Sequence, residues 1–307
     1  MEKFKIGHYT NLEQGTGCTV ILCPIGTRAS GYARGVSPGT REFALLSPFR
    51  KVEEVNAIFL TGGSAFGLDA AAGVMRYLAE NNQGYETPLR KIPIVPAAVI
   101  YDLAVGDSQA YPTPENAYQA CLEARSDIHQ QGTIGAGTGA TVGKWAGLQF
   151  AMKSGIGMST YQLGELWVEI LAVVNPVGDI VEADGTIIAG AQQARKYIAQ
   201  NEPARRWKMN GLNFGQNTIL VVVMTNAFLS KIQLYYVAER AHNGIVRAVI
   251  PAHTTYDGDI VFALSQPHIE CDIDQVTEIA IETTRLSIIQ AVKMAKPLGG
   301  IPAFIEQ

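Results

Sequence analysis

Short apolar runs recur along the whole chain and alternate with longer segments of mixed polarity. The runs are rich in Val and Ile and are bounded by Gly, Pro or Asp, which favours β-strands because helices need longer periodic segments. These runs predict strands over residues 19–23, 57–60, 92–95, 166–174, 218–224 and 260–264.

The longer segments are amphipathic and predict helices over residues 65–80, 114–129, 229–242 and 274–294. Ser64 precedes the first of these segments and is a predicted N-cap, since its hydroxyl could accept a hydrogen bond from the first turn. Gly244 follows the third segment and is a predicted left-handed C-terminal cap. A chain that mixes strands and helices in this way is typical of a layered α/β or α+β domain.

Composition narrows the class of protein. Hydrophobic residues make up 47% of the 307 positions and charged residues 17%, and the formal net charge is −4. This apolar content excludes a disordered chain, and the lack of a basic excess argues against a nucleic-acid-binding protein. The length fits one large domain or two ordinary ones, either of which buries a substantial core.

The chain carries no signal for a membrane or a secretory route. Its opening residues, MEKFKIGHYT, lack the apolar core of a signal peptide. Its longest apolar runs, such as 219–224 and 170–174, are far shorter than the roughly 20 residues of a membrane span. The cysteines are scattered without metal-site spacing, which favours free buried thiols: Cys18, Cys23, Cys121 and Cys271. We therefore expect a soluble cytoplasmic protein.

The least globular stretch spans residues 193–217 and ends in a tail rich in Gly and Asn. It predicts an exposed loop that leads directly into the apolar strand at Thr218. A threonine at that place is in one interpretation an ordinary β-branched strand residue. In the other, cleavage of the chain at Asn217–Thr218 would expose it as an N-terminal nucleophile. The residues alone leave both interpretations open.

Two glycine-rich segments are candidates for a binding loop. TGGSAFG at 61–67 lies between a strand and a helix but has neither a Walker A ending nor the G-x-G-x-x-G spacing. GTIGAGTGATVGK at 132–144 ends in Lys144, yet Trp145 replaces the Ser or Thr that would hold magnesium. Close backbone packing is the alternative in both cases. A lysine that ends a nearly uncharged, glycine-rich run is less typical of a solvated surface charge.

The segment HTTYDGD at 253–259 combines a histidine with two carboxylates. Asp257 and Asp259 could form a turn, contribute to a metal site or hold an ammonium group, although the spacing of a calcium loop is absent. His253 could be a base, but the other histidines give it no obvious partner.

Several long motifs occur together in one order, and on them the chain resembles the DmpA-type L-aminopeptidase/D-esterase family, which includes β-aminopeptidases and nylon-oligomer endo-hydrolases. The resemblance extends almost from end to end. The matching segments are Gly7-His8, VSPGTREFALL (36–46), LTGGSAFGLDAA (60–71), PIVPAAVIYDL (93–103), GTIGAGTGATVGK (132–144), VVNPVGDI (173–180), NTILVVVMTNA (217–227) and HTTYDGDIVFAL (253–264).

This resemblance implies a self-processing hydrolase of the N-terminal-nucleophile type. The matching bond is Asn217–Thr218, so that one catalytic domain over 1–307 would be cut into fragments 1–217 and 218–307. The implied fold is α+β, a four-layer αββα sandwich of the DmpA/ornithine-acetyltransferase type. The two fragments are expected to stay associated and to build a homotetramer or a similar oligomer.

The resemblance also implies a role for each matching residue. Thr218 would be the nucleophile, with its own α-amine as the base after cleavage. Tyr101 and Asn175 match residues that donate hydrogen bonds to the substrate carbonyl. Lys144 would lower the pKa of the amine or help to hold an oxyanion. The two aspartates, Asp257 and Asp259, would orient and tune the amine, and the sequence does not say which of them contacts it.

A threonine nucleophile favours the nylon-hydrolase and related branches over the serine aminopeptidases. The expected substrate is a small peptide or another linear amide, with no metal or other cofactor and no nucleic-acid or membrane partner. The sequence leaves two alternatives open. One is an N-acetyl transferase of the ornithine acetyltransferase type, and the other is a non-catalytic, peptide-binding protein on the same fold.

Overall fold

Two five-stranded sheets form the centre of the computed structural model, which describes residues 3–127, 130–200, 202–203, 206 and 217–305. The strands are, in chain order, β1 (Lys5–Asn11), β2 (Thr16–Leu22), β3 (Arg28–Ala33), β4 (Thr40–Arg41), β5 (Ala57–Thr61), β6 (Ala97–Val99), β7 (Thr141–Val142), β8 (Met152–Lys153), β9 (Ile156–Leu163), β10 (Leu166–Asn175), β11 (Asp179–Val181), β12 (Ile187–Ala189), β13 (Gln192–Gln193), β14 (Lys196–Tyr197), β15 (Thr218–Ala227), β16 (Val249–Ile250) and β17 (Ile260–Ile269). The α-helices are α1 (Ala71–Glu80), α2 (Pro114–Leu122), α3 (Lys231–Ala248) and α4 (Ile273–Lys293).

Both central sheets are mixed. The first has the strand order β1-β2-β5-β6-β4, and only its β5–β6 pair is parallel among the described pairs. The second has the order β3-β17-β15-β10-β9, in which β15 and β17 are parallel and the other neighbours antiparallel. Strand β15 therefore lies at the middle of the second sheet.

The two sheets pack face to face and each is covered by helices on its outer face. Alternate residues of β15, such as Leu220 and Val222, point into the core between the sheets. The intervening residues, such as Val221 and Val223, pack against α3 and α4, while α1 and α2 cover the first sheet. Burial on both faces explains why the central strands are continuous apolar runs. The layers are α, β, β and α, which confirms the expected sandwich.

The strand expected at 92–95 was wrong. Ile92 forms only an isolated bridge to Tyr85, and the strand of this region, β6, begins later in the chain. Pro93 lies within the expected run and Pro96 directly follows it, and neither has the N–H group that a ladder requires. Strands β1, β3 and β9 were not expected, because polar residues interrupt their apolar positions.

The expected cap residues were also wrong. Ser64 has a φ of 52° and opens a 3₁₀ turn that precedes α1, with no side-chain cap bond. Helix α3 continues past Gly244 to its end at Ala248. A Cβ at Gly244 would overlap the carbonyl oxygen of Ile281 in α4, so this glycine allows two helices to approach closely.

The region before Thr218 differs in part from the expected exposed loop. Residues 192–197 form the short β13–β14 hairpin. Arg206 is buried, and its Nε lies 2.7 Å from the Asp179 carboxylate. Residues 207–216 lie outside the described part of the chain.

The cysteines are free thiols, as expected, and Cys18, Cys23 and Cys121 are buried, whereas Cys271 is only partly buried. In the described part of the chain, no helix combines the length and the apolarity needed to cross a membrane.

Candidate active site

The ends of two central strands meet at Thr218. Strands β10 and β15 are antiparallel neighbours, and their register places Asn175 opposite Thr218. Strand β17 runs parallel to β15, so the segment that precedes β17 lies beside the start of β15, where Asn217 forms a bridge with Asp257. Thr218 is buried, with 3% of its surface exposed. The fold therefore brings residues from three separate motifs to one point.

The peptide bond between Asn217 and Thr218 is held from the side of residues 256–258. The Asn217 amide donates to the Tyr256 carbonyl at 2.9 Å, and its carbonyl oxygen accepts the Gly258 amide at 2.6 Å. A Cβ at Gly258 would lie 2.9 Å from Thr218 Oγ. Only glycine therefore lets this backbone approach both the hydroxyl and the carbonyl.

Asp257 faces the loop that precedes it. Its Oδ2 accepts hydrogen bonds from the amide and the hydroxyl of Thr254, both at 2.7 Å, and its Oδ1 lies 3.5 Å from the Val177 amide. Burial, and then the charge of Asp259, raise the pKa of Asp257 above its usual value. A carboxylate in such a position exchanges its proton closer to neutral pH than an exposed one does.

Asp259 faces the strand that Thr218 opens. Its Oδ1 accepts the Ile219 amide at 2.7 Å, and its Oδ2 lies 2.7 Å from His253 Nδ1. Asp259 is thus the partner of His253, which the other histidines of the sequence did not supply. The sequence carried a signal for this contact only in the short spacing of the two residues along the chain.

Lys144 and Asn175 form a second side of the site. Lys144 Nζ donates to the Asn175 carbonyl oxygen at 3.0 Å and to its Oδ1 at 2.7 Å. The Thr141 amide donates to the same Oδ1 at 3.0 Å. Desolvation lowers the pKa of the partly buried Lys144 to about 7, while the negative charge of Asp257 opposes this shift. The ammonium group can therefore give up a proton near neutral pH.

Tyr101 contributes its backbone to the site. Asn175 Nδ2 donates to the Tyr101 carbonyl oxygen at 3.1 Å, which fixes the orientation of the Asn175 amide. The role that the resemblance gives to Tyr101 requires its hydroxyl, and among the described contacts it is the carbonyl that joins Tyr101 to Asn175.

Asp102 is a buried charge that the sequence analysis did not single out. Its carboxylate accepts the Thr16 hydroxyl at 2.8 Å and the Gly63 amide at 2.7 Å, and burial raises its pKa to about 6. A Cβ at Gly62 would overlap the Asp102 carboxylate, and one at Gly139 would lie 2.5 Å from Asp102 Cβ. The two glycine-rich segments thus pack closely around this aspartate, which favours the packing interpretation. The sequence feature that could have identified Asp102 is its charge inside the otherwise apolar run PIVPAAVIYDL.

Lys153 is a second buried charge near this packing. It is fully buried, and its Nζ donates to the carbonyl oxygens of Thr138 and Ala140 at 2.8 and 2.6 Å. Burial lowers the pKa of Lys153 to about 7, and the charge of Asp102 opposes this shift. Within the part of the chain that the structure describes, no cluster of His, Cys, Asp and Glu could hold a metal ion.

Comparison with solved structures identifies the fold. An L-aminopeptidase D-Ala-esterase/amidase from Ochrobactrum anthropi, described as a variant of the Ntn hydrolase fold, matches with a TM-score of 0.75 at 18% identity, over 100% of this chain and 90% of its own. A Burkholderia β-aminopeptidase matches with a TM-score of 0.74 at 18% identity, over 100% and 88%. The chain has the Ntn hydrolase fold of these proteins.

Comparison with known sequences identifies the family. An uncharacterised aminopeptidase of Mycobacterium leprae is 36% identical over 98% of this chain and 91% of its own. A 6-aminohexanoate-oligomer endohydrolase of Agromyces is 31% identical over 86% of this chain and 72% of its own. The model of peptidase family S58 matches residues 2–303. Because this match covers nearly the whole chain, the protein belongs to peptidase family S58, the DmpA family that its motifs resemble, and is a hydrolase of amide bonds.

Proposed function

We propose that this protein is a self-processing amide hydrolase in which Thr218 first cuts its own chain and then attacks the substrate. The observation that carries the proposal is the placement of the Asn217–Thr218 peptide. Its carbonyl oxygen accepts the Gly258 amide at 2.6 Å, and the Thr218 side chain lies against the same glycine. A nucleophile beside a polarised carbonyl is the arrangement that acyl transfer requires.

Self-cleavage then follows in two steps. Thr218 Oγ attacks the Asn217 carbonyl carbon, and the Gly258 amide stabilises the negative charge that develops on the carbonyl oxygen. The C–N bond breaks, and the hydroxyl proton passes to the leaving nitrogen, which becomes the α-amine of Thr218. Water hydrolyses the resulting ester, which leaves a carboxylate on Asn217 and restores the Thr218 hydroxyl.

Substrate hydrolysis repeats the same chemistry between molecules. The new α-amine has a reference pKa of about 8 and takes the proton of its own hydroxyl. Asp257 and Asp259 flank the position of this amine through their contacts with the adjoining backbone. To Asn175, which Lys144 orients opposite Thr218, we assign the donation of a hydrogen bond to the substrate carbonyl. Departure of the Asn217 carbonyl would leave the Gly258 amide as a further donor.

The position of the cut is compatible with two fragments that stay together. Strand β15 would begin the smaller fragment, and it pairs along its length with β10 of the larger one. Helices α3 and α4 cover β10 as well as β15. Separation would expose this core to water, so we infer that the fragments remain associated and form the unit from which any oligomer is built.

The relatives indicate the range of substrates. Some are named aminopeptidases, and others 6-aminohexanoate-oligomer endohydrolases. We infer that the substrate is a linear amide whose acyl part is a small amino acid, with its amino group in the α, β or ω position.

Replacing Thr218 tests the proposal. We expect Thr218→Ala to stay uncut and inactive, because no hydroxyl remains to attack, and Thr218→Ser to be cut. Denaturing gels and intact mass measure the cut, and release of p-nitroaniline from amino-acid p-nitroanilides measures turnover.

Thr225→Ala is the matched control, because Thr225 lies on the same strand and its hydroxyl donates to the Trp167 carbonyl, away from the site. It should be cut like the wild type. A Thr218→Ala protein that is cut at the same bond would contradict the proposal.

A further inference from the structure

His253 lies behind the carboxylate that holds the backbone next to Thr218. Its Nδ1 is 2.7 Å from Asp259 Oδ2, and Asp259 Oδ1 accepts the Ile219 amide at 2.7 Å. Two hydrogen bonds in series therefore join the imidazole ring to the residue that directly follows the nucleophile.

We propose that His253 is a positioning residue, which holds the Asp259 carboxylate in the orientation that fixes the Ile219 amide and, through it, Thr218. The inference rests on the proposed function, since it assigns a role within the same site. It adds a residue that touches neither the substrate nor the bond to be cut.

The ring of His253 is committed to this one contact. A carboxylate oxygen is a hydrogen-bond acceptor, so we assign Nδ1 as the donor in this contact. The other ring nitrogen, Nε2, is buried and has no hydrogen-bond partner among the described residues. The ring packs against that of His242, with centroids 5.0 Å apart. Among the described residues, Asp259 therefore accounts for the hydrogen bonding of the His253 ring.

The backbone at His253 supports the same interpretation. Its φ of 53° lies in the left-handed region, which residues other than glycine adopt infrequently. Asparagine, aspartate and histidine enter that region more readily than most other residues. The next residue, Thr254, is fixed by both of its bonds to Asp257. The loop thus aims the ring at Asp259 from a conformation that costs backbone energy.

This arrangement has a consequence for the cut protein. After cleavage Thr218 is a chain end that has lost its anchor through Asn217, so the bond between the Ile219 amide and Asp259 becomes, beside the pairing with Asn175, one of the contacts that hold it. Loss of the His253–Asp259 contact would let the Asp259 carboxylate turn away and loosen the nucleophile. Small errors in the placement of a nucleophile lower the rate of the chemical step more than they weaken substrate binding.

His253→Ala and His253→Asn test the inference together. Alanine removes the donor, whereas asparagine tolerates the left-handed backbone and offers its Nδ2 hydrogens to Asp259. Freshly translated chains are followed by denaturing gel, because self-cleavage needs no substrate. We expect His253→Ala to be cut about tenfold or more slowly than the wild type and His253→Asn within about threefold of it. On a p-nitroanilide that the wild type hydrolyses, the alanine variant should lose kcat with KM unchanged.

The control variant is His242→Gln. His242 packs on His253 but bonds to the Tyr32 carbonyl at 3.1 Å, so this variant should be cut at the wild-type rate. Cleavage of His253→Ala at the wild-type rate would overturn the inference. So would a folded His253→Asn variant, by circular dichroism, that is as slow as His253→Ala. If Thr218→Ala is uncut in the same experiment, only the role of His253 fails. If Thr218→Ala is cut, the proposed function fails.

Discussion

Two regions of the molecule each place a lysine and an aspartate away from water, and they use these charges differently. Around Asp102 and Lys153, every hydrogen bond described for the two charged groups goes to a backbone group or to a neighbouring hydroxyl in the packing of the glycine-rich segments. The Asp257 carboxylate likewise bonds to the amide and hydroxyl of Thr254, but the backbone of Asp257 pairs with Asn217. Lys144 donates to Asn175, which lies opposite Thr218.

The pKa values alone do not separate these regions. Burial raises the pKa of both aspartates and lowers the pKa of both lysines to about 7. Shifted pKa values are frequent in active sites, but structural charges show them as well. Pairing with the residues beside Thr218 distinguishes the two regions, and on that ground we propose that Asp102 and Lys153 serve stability, and Asp257 and Lys144 chemistry.

The largest expected difference is between the two lysines. Lys144→Met removes the donor that orients Asn175, and we expect kcat to fall by about 10²–10³, the cost of losing a group that aligns the carbonyl donor. Lys153→Met removes a lysine of similar pKa and should leave the kcat of the folded protein within about threefold. Steady-state kinetics on a p-nitroanilide measures both. Equal losses of kcat in Lys144→Met and Lys153→Met would contradict the difference in role between the two lysines.

Asp102→Ala should act mainly on stability. It leaves the Thr16 hydroxyl and the Gly63 amide without their buried acceptor, which costs about 3 kcal/mol in the free energy of unfolding. Urea unfolding measures this loss, and Asp69→Ala, at an exposed position of the 3₁₀ turn that follows Gly63, is the control with almost no expected change. An Asp102→Ala protein that is as stable as the wild type but has a strongly reduced kcat would show that Asp102 acts in catalysis instead.

The last expected effect, which is small within any one pH unit, is a pH dependence of stability that comes from Lys153. Its folded pKa of about 7 lies below the unfolded value of 10.5, so the unfolded chain binds more protons between these values and stability rises with pH in that window. The slope is at most about 1.4 kcal/mol per pH unit for one proton. Unfolding curves at pH 7 to 10 should therefore rise less steeply for Lys153→Met than for the wild type. Parallel curves would contradict a lowered pKa, and Lys196→Met, at an exposed position, is the control.

The sequence predicted the buried part of the fold better than its edges. The runs at 166–174, 218–224 and 260–264 lie within strands of the structure, because burial on both faces leaves continuous apolar residues. Strands β1 and β9 have polar positions between the apolar ones and were missed. The end of α3 was misplaced because Gly244 serves a contact with another helix, which no local pattern reveals.

The candidate site was likewise predicted from the sequence only in part. The motifs that carry the resemblance include Thr218, Lys144 and Asn175, and their order along the chain does not say how they meet. The register of β10 and β15 supplies that information. The contact between His253 and Asp259, and the packing around Asp102, depend on side-chain directions that residue types alone do not specify.

The mass of the purified wild-type protein tests the central claim most directly. If Thr218 cuts the chain, the 33.0 kDa protein of 307 residues should appear as fragments of about 23 and about 10 kDa, in the proportion of residues 1–217 to 218–307. N-terminal sequencing of the smaller fragment should then begin at Thr218. A single uncut chain that nevertheless hydrolyses amides, or a small fragment that begins at another residue, would contradict the account.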